Sequence, residues 1–117
     1  MDPRIADLNF AEFSTPYCLI GHTHFPLIFH RPDDDCPTVP IAVQGNQIID
    51  LSPRMLLNPG SVGQPRDMDP RASYAMLDTE AMTWEIRRVR YDIQRVQAQI
   101  LEAGLPARQA LRLNEGW

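Results

Sequence analysis

Residues 17–26 read Tyr17-Cys18-Leu19-Ile20-Gly21-His22-Thr23-His24-Phe25-Pro26. A short, wholly apolar run such as Tyr17 to Ile20 suits a strand buried on both faces of a sheet. Gly21 lets the chain turn sharply at the end of that strand, where α/β proteins tend to place their sites. In an extended segment, side chains two apart point the same way, so His22 and His24 are expected to project into one space. Imidazole is the commonest metal ligand near neutral pH. Spacing alone leaves two readings level: a ligand pair, or two histidines that simply hydrogen-bond in a loop. A metal centre takes at least three protein ligands, and a two-metal centre a bridging carboxylate as well. The remaining histidine, His30, lies beyond Pro26 and reads as a strand-end residue, so no complete centre can be assembled from these residues.

Working outward, Asp2-Pro3 reads as a helix start, with Asp2 as the cap and Pro3 at the first helical position. Ala6, Phe10 and Phe13 recur at helical spacing until Ser14-Thr15-Pro16 ends the run. Downstream, Leu27 to Phe29 reads as a strand. Asp33, Asp34 and Asp35 between two prolines read as a solvated turn, because the alternating ligands and turn glycine of a calcium loop are missing. Val39 to Val43 and Gln47 to Leu51 flank Gly45-Asn46, a hairpin signal. Met55 to Leu57 leads into Asn58-Pro59-Gly60-Ser61. Ser73 to Leu77 and Thr83 to Val89 form a second expected hairpin, with Trp84 and Ile86 on its buried face. Asp92 caps a helix whose Ile93, Val96, Ile100 and Leu101 share a side, Gly104 ends it, and Pro106 restarts a short helix to about Leu113. Residues 114–117 are expected to be a loose tail.

The whole is expected to be one α/β domain over residues 1–117, built mostly of β-hairpins with one N-terminal and one or two C-terminal helices. Its 44% hydrophobic and 22% charged residues are ordinary for a folded chain. A net charge of -4 disfavours a nucleic-acid partner. The run Arg87, Arg88, Arg90 and Arg95 is interrupted by acids and reads as a solvated strand edge. Cys18 reads as a small core residue and Cys36 as a loop residue. With no signal-like segment and no apolar run of membrane-spanning length, the expected location is the cytoplasm, without membrane association.

Two stretches carry a resemblance. Residues 17–26 resemble the closing motif of bacterial calcineurin-like metallophosphoesterases. Asn58-Pro59-Gly60-Ser61-Val62-Gly63-Gln64-Pro65-Arg66-Asp67 resembles the loop that follows it in that family, and Asp69-Pro70-Arg71-Ala72-Ser73-Tyr74 continues the match. The likeness runs from about Asp2 to Leu113.

The resemblance implies the C-terminal part of the family's β-sandwich flanked by helices, and a metal-dependent hydrolase of phosphomonoesters or phosphodiesters. It implies two divalent metals (Mn, Fe, Zn, Ni or Mg), with His22 on one and His24 on the other. The family's Asp-x-His, Gly-Asp-x-x-Asp, Gly-Asn-His and lone-histidine ligands are absent from this sequence, so the chain is expected to be inactive alone, and no residue of it is assigned as a general acid or base. Arg66, Asn58 and Ser61 are expected to border a small or nucleotide-like phosphoester, Arg66 because its guanidinium grips phosphate with a fork of donors. For Asn58, Pro59 and Gly60 a structural turn is the favoured reading. A phosphoesterase-like scaffold or protein-interaction module, as in the retromer subunit of this fold, is the alternative, and a single-metal module using His22, His24 and Asp33 is a third. Exposed strand edges would favour homo-oligomers.

Overall fold

The computed structural model describes residues 2–43 and 45–117. The first helix, α1 (Pro3–Phe10), begins where Asp2 accepts the Arg4 N–H at 2.9 Å. It ends earlier than the aromatic spacing implied. Phe13 lies beyond it, tilted against Phe10 with ring centroids 5.5 Å apart, and the Arg54 guanidinium covers both rings. Arg54 also donates to the Phe10 carbonyl at 2.8 Å, satisfying a helix-end acceptor that would otherwise lack a partner.

Seven strands follow among the described residues, in two sheets. The first sheet has the order β1 (Tyr17–Leu19), β5 (Met55–Pro59), β2 (Pro26–His30), β3 (Val39–Ala42), with β1 parallel to β5 and the other pairs antiparallel. The second has the antiparallel order β4 (Ile48–Asp50), β7 (Thr83–Val89), β6 (Ala72–Asp78). Neighbouring residues of a strand point to opposite faces, and β5 shows both faces covered. Met55 and Leu57 join Ile28, Trp84 and Ile86 in the cluster between the sheets, whereas Leu56 joins Phe29, Ala6 and Phe10 beneath α1.

Two expectations about the strands need correction. Gly45-Asn46 does not close a hairpin: β3 pairs with β2 in one sheet and β4 with β7 in the other. The turn carries the chain from sheet to sheet, and Asn46 N–H bonds the Ile86 carbonyl at 2.8 Å. Nor is β1 buried on both faces. It is an edge strand with no partner on its outer side among the described residues, and Leu19 is 61% exposed. The hairpin of β6 and β7 forms as expected, with the Asp78 carboxylate accepting the Glu80 and Ala81 N–H groups in its turn.

The C-terminal helices are α2 (Ile93–Glu102), capped by Asp92, and α3 (Ala107–Leu111), which passes into a 3-10 turn over Arg112–Asn114. The tail, expected to be loose, is docked. Met68 N–H donates to the Gly116 carbonyl at 2.9 Å. Gly116 has φ +69 and lies so close to Asp69 that a Cβ would sit 2.7 Å from its backbone carbon, a fit open to glycine alone. Arg88, expected on a solvated edge, is instead buried in an ion pair with Asp67, their side chains 6% and 10% exposed. The thiols of Cys18 and Cys36 are free. No helix among the described residues is long and apolar enough to cross a membrane.

Candidate metal-ligand loop

The loop after β1 is shaped by its histidines. Gly21 does not have a positive φ, and a Cβ there would meet nothing within 4 Å. The turn is made one residue later: Thr23 N–H bonds the Gly21 carbonyl at 2.8 Å across His22, whose φ is 68. His24 follows with φ 61. Left-handed backbone at a residue with a Cβ is uncommon and costs on the order of 1–3 kcal/mol, and it persists where surrounding contacts enforce it. The two rings are therefore set by a strained turn, in place of the extended alternation expected from spacing.

Three contacts enforce the turn. Asn58, at the end of β5 and 0% exposed, donates from Nδ2 to the Gly21 carbonyl at 3.1 Å and to Thr23 Oγ1 at 3.0 Å. Its Oδ1 accepts the Gly60 N–H at 3.0 Å, so one amide ties both loops. The Gln64 carbonyl holds His24 Nδ1 at 2.7 Å. With Nδ1–H donated there, Nε2 keeps the lone pair that a metal would take, the orientation device common to metal-binding histidines. Gln64 is itself fixed: its N–H donates to Ser61 Oγ at 3.0 Å and its Nε2 to Gln109 Oε1 of α3 at 2.9 Å. Gly60, at φ +86, is packed so closely on Ser73 that a Cβ would stand 2.7 Å from Oγ.

The expected site residues separate accordingly. His22 is exposed and His24 half-buried on one loop. Asn58 is inaccessible, and its amide holds the loop. The Ser61 hydroxyl oxygen accepts the Gln64 N–H, and the residue stays half-buried. Arg66 lies at the surface beside the loop, its backbone N–H on the His24 carbonyl at 3.2 Å and its Nη2 on Gln64 Oε1 at 2.7 Å. His30 bonds the Pro53 carbonyl and Ser52 at the end of β2, away from the loop. Asp33 does not join the histidines: no group of three or more His, Cys, Asp or Glu able to hold a metal occurs among the described residues. Its carboxylate instead accepts the Asp35 N–H, as a solvated turn requires. Sequence reading missed Gln64 and Gln109, and the first acts on His24 through a backbone carbonyl that no side-chain pattern announces.

Comparison with known proteins gives this arrangement a context. A crystal structure of a metallophosphoesterase from Sphaerobacter thermophilus superposes on 99% of the chain with TM-score 0.91 and 44% identity, and the chain spans 48% of it. The chain is a metallophosphoesterase relative. Its α/β fold matches the C-terminal part of a metallophosphoesterase, as the resemblance to the calcineurin-like family implied. An uncharacterized protein of Methanocaldococcus jannaschii is 36% identical over 87 residues, covering 74% of the chain and 34% of the relative's own length. A hypothetical protein of Pyrococcus horikoshii shares the fold at TM-score 0.64 and 18% identity, the chain covering 39% of it. No protein-family model matches. This metallophosphoesterase relative thus spans about half or less of the proteins it resembles.

The residues present fit a divalent metal as part of a donor set. His24 has a locked tautomer that frees Nε2, and His22 is open to solvent, but two imidazoles fall short of the ligands a centre requires.

Proposed function

We propose that the chain supplies two imidazole ligands, His22 and His24, to a two-metal phosphoester-hydrolysing centre whose other ligands come from polypeptide outside this sequence. The observation that carries the reading is the His24 Nδ1 contact with the Gln64 carbonyl at 2.7 Å, within a strained turn that Asn58 pins from below. With Nδ1 engaged, Nε2 is the ring nitrogen left to take a metal, in the loop that joins β1 to β2. When bound, two divalent cations would activate a water and neutralise phosphate charge. The chain's own part is to hold the two imidazoles in place for the metals. Arg66 is the proposed phosphate contact from this side, with a small or nucleotide-like phosphomonoester or phosphodiester as substrate. Two free thiols suit a reducing compartment, which makes the cytoplasm the proposed location.

The test is a chimera in which this chain replaces the matching part of the Sphaerobacter protein. Manganese-dependent hydrolysis of a chromogenic phosphodiester is expected, with loss of turnover in the His24→Ala chimera. A chimera whose turnover is indifferent to His24 overturns the reading. The isolated chain under the same conditions is expected to be inactive, and substantial turnover by it would show that the centre is complete without added polypeptide.

A further inference from the structure

The side-chain amide of Gln64 has a different kind of partner at each end. Its Nε2 donates to Gln109 Oε1 at 2.9 Å. Its Oε1 accepts from Arg66, 2.7 Å from Nη2 and 3.3 Å from Nε. A guanidinium only donates, so Arg66 is served by the oxygen of that amide and not by its nitrogen. The last torsion of a glutamine is broad and roughly two-fold, and half a turn would exchange the two ends. Gln109 selects the observed half, because its oxygen can take a hydrogen only from Nε2.

Gln109 is able to impose this choice because it stands on an anchored element. Its N–H donates to the Pro106 carbonyl at 2.8 Å in the first turn of α3. The next residue, Ala110, is buried, and its carbonyl accepts Gln97 Nε2 of α2 at 2.8 Å. Leu113 is buried further along, and the tail beyond it is docked on Met68 and Asp69. Arg66, by contrast, is exposed, and residues 61–67 form neither helix nor strand. Fixing the Gln64 side chain also narrows its backbone, whose carbonyl holds His24 Nδ1 at 2.7 Å. The Arg66 N–H closes the same circuit on the His24 carbonyl at 3.2 Å.

We propose that Gln109 is a positioning residue for the candidate centre. Acting through Gln64, it sets His24 for a metal and Arg66 for phosphate, and it touches neither itself. The C-terminal helices thereby become part of the site's support. The functional sense of this inference rests on the metal and phosphate roles proposed above, whereas the coupling of Gln109 to His24 and Arg66 does not.

The test uses the isotope-labelled 117-residue chain without metal. A scalar coupling across the hydrogen bond should join His24 Nδ1 to the Gln64 carbonyl carbon, and the Arg66 Nε resonance should stand apart from those of freely solvated arginines. Gln109→Met keeps the side-chain length and the helix propensity but removes the acceptor. It should weaken the coupling and move the Arg66 resonance to the free position, with an unchanged circular dichroism spectrum. Gln109→Glu keeps an oxygen for Gln64 Nε2 and should retain both signatures. Either signal left in place by Gln109→Met overturns the proposal, since a purely packing role for α3 predicts lost stability alone. In the chimera, the manganese concentration for half-maximal turnover should rise about tenfold in Gln109→Met, the low end of the loss for outer partners of a metal ligand, and return in Gln109→Glu. An unchanged requirement likewise overturns the proposal. A parent chimera without turnover would defeat the metal-centre reading, and the two resonances would still decide whether Gln109 positions His24 and Arg66.

Discussion

The Asn58 amide uses both Nδ2 hydrogens and its oxygen inside the protein, on Gly21, Thr23 and Gly60. Truncation to Asn58→Ala deprives those groups of the partner that sits at 0% exposure between the two loops. A buried unsatisfied donor or acceptor costs about 1–3 kcal/mol, so the urea midpoint should fall by that equivalent. Asn58→Asp is not expected to restore it, since a carboxylate can accept from Gly60 but has no N–H for the Gly21 carbonyl. A midpoint unchanged in Asn58→Ala would show that the turn holds without the amide. The sequence made the histidines conspicuous, because two imidazoles next to a strand stand out against any background. It could not show that His22 and His24 take left-handed backbone, for that follows from contacts made by residues more than thirty positions downstream.

Between elements, the loop after β5 is fastened to the second sheet by Asp67 and Arg88. Both side chains are nearly enclosed, and Asp67→Ala leaves the Arg88 guanidinium with only the Asp69 carboxylate, 3.9 Å from its Nε; removing one partner of a buried pair costs about 3–5 kcal/mol, and Asp69 should hold the loss to the lower part of that range. Chemical denaturation followed by circular dichroism should register a loss of that size. Next to it, Asp69 is bonded by Arg71, which with the nearby Arg88 charge lowers its pKa to about 2. Its folded pKa lies below its unfolded value near 3.9. The stabilising contribution is therefore complete above about pH 4 and disappears as pH falls toward 2. An Asp69→Asn variant should lose stability at neutral pH but show a smaller further drop across that window. At this scale the sequence was informative about what each segment is and poor about what it pairs with. Helix caps at Asp2 and Asp92 and the β6–β7 hairpin are written in local spacing. The separation of β3 from β4 is not, because the Gly45-Asn46 signal describes a turn and says nothing of the sheets on either side.

The molecule as a whole is long and thin, with extents of 50 × 28 × 19 Å and a radius of gyration of 16.1 Å, against roughly 13 Å for a compact chain of about this size. Its surface carries Leu19, Ile5 and Leu8 at 58% exposure or more. Leu19 stands on the open edge of β1, and exposed apolar edges recruit other strands. The isolated chain is expected to self-associate in sedimentation velocity, and Leu19→Lys should shift it toward monomer. A monomer at all concentrations would show that the edge is protected as it stands. That the metal-ligand set is short of partners was legible from the missing motifs. That β1 is an open edge among the described residues appears only when the strands are laid in order.

The passage of the chain from β3 to β4 has a mechanical meaning. It binds the two sheets along one side as a spine binds the boards of a book, while β1 lies on the fore-edge opposite. Added polypeptide cannot slip between the boards without tearing the core around Ile28, Trp84 and Ile86. It can extend a board at its open edge, at β1 or at β6, and beside β1 enlarging the sheet and bringing new groups near the loop of His22 and His24 would be one event.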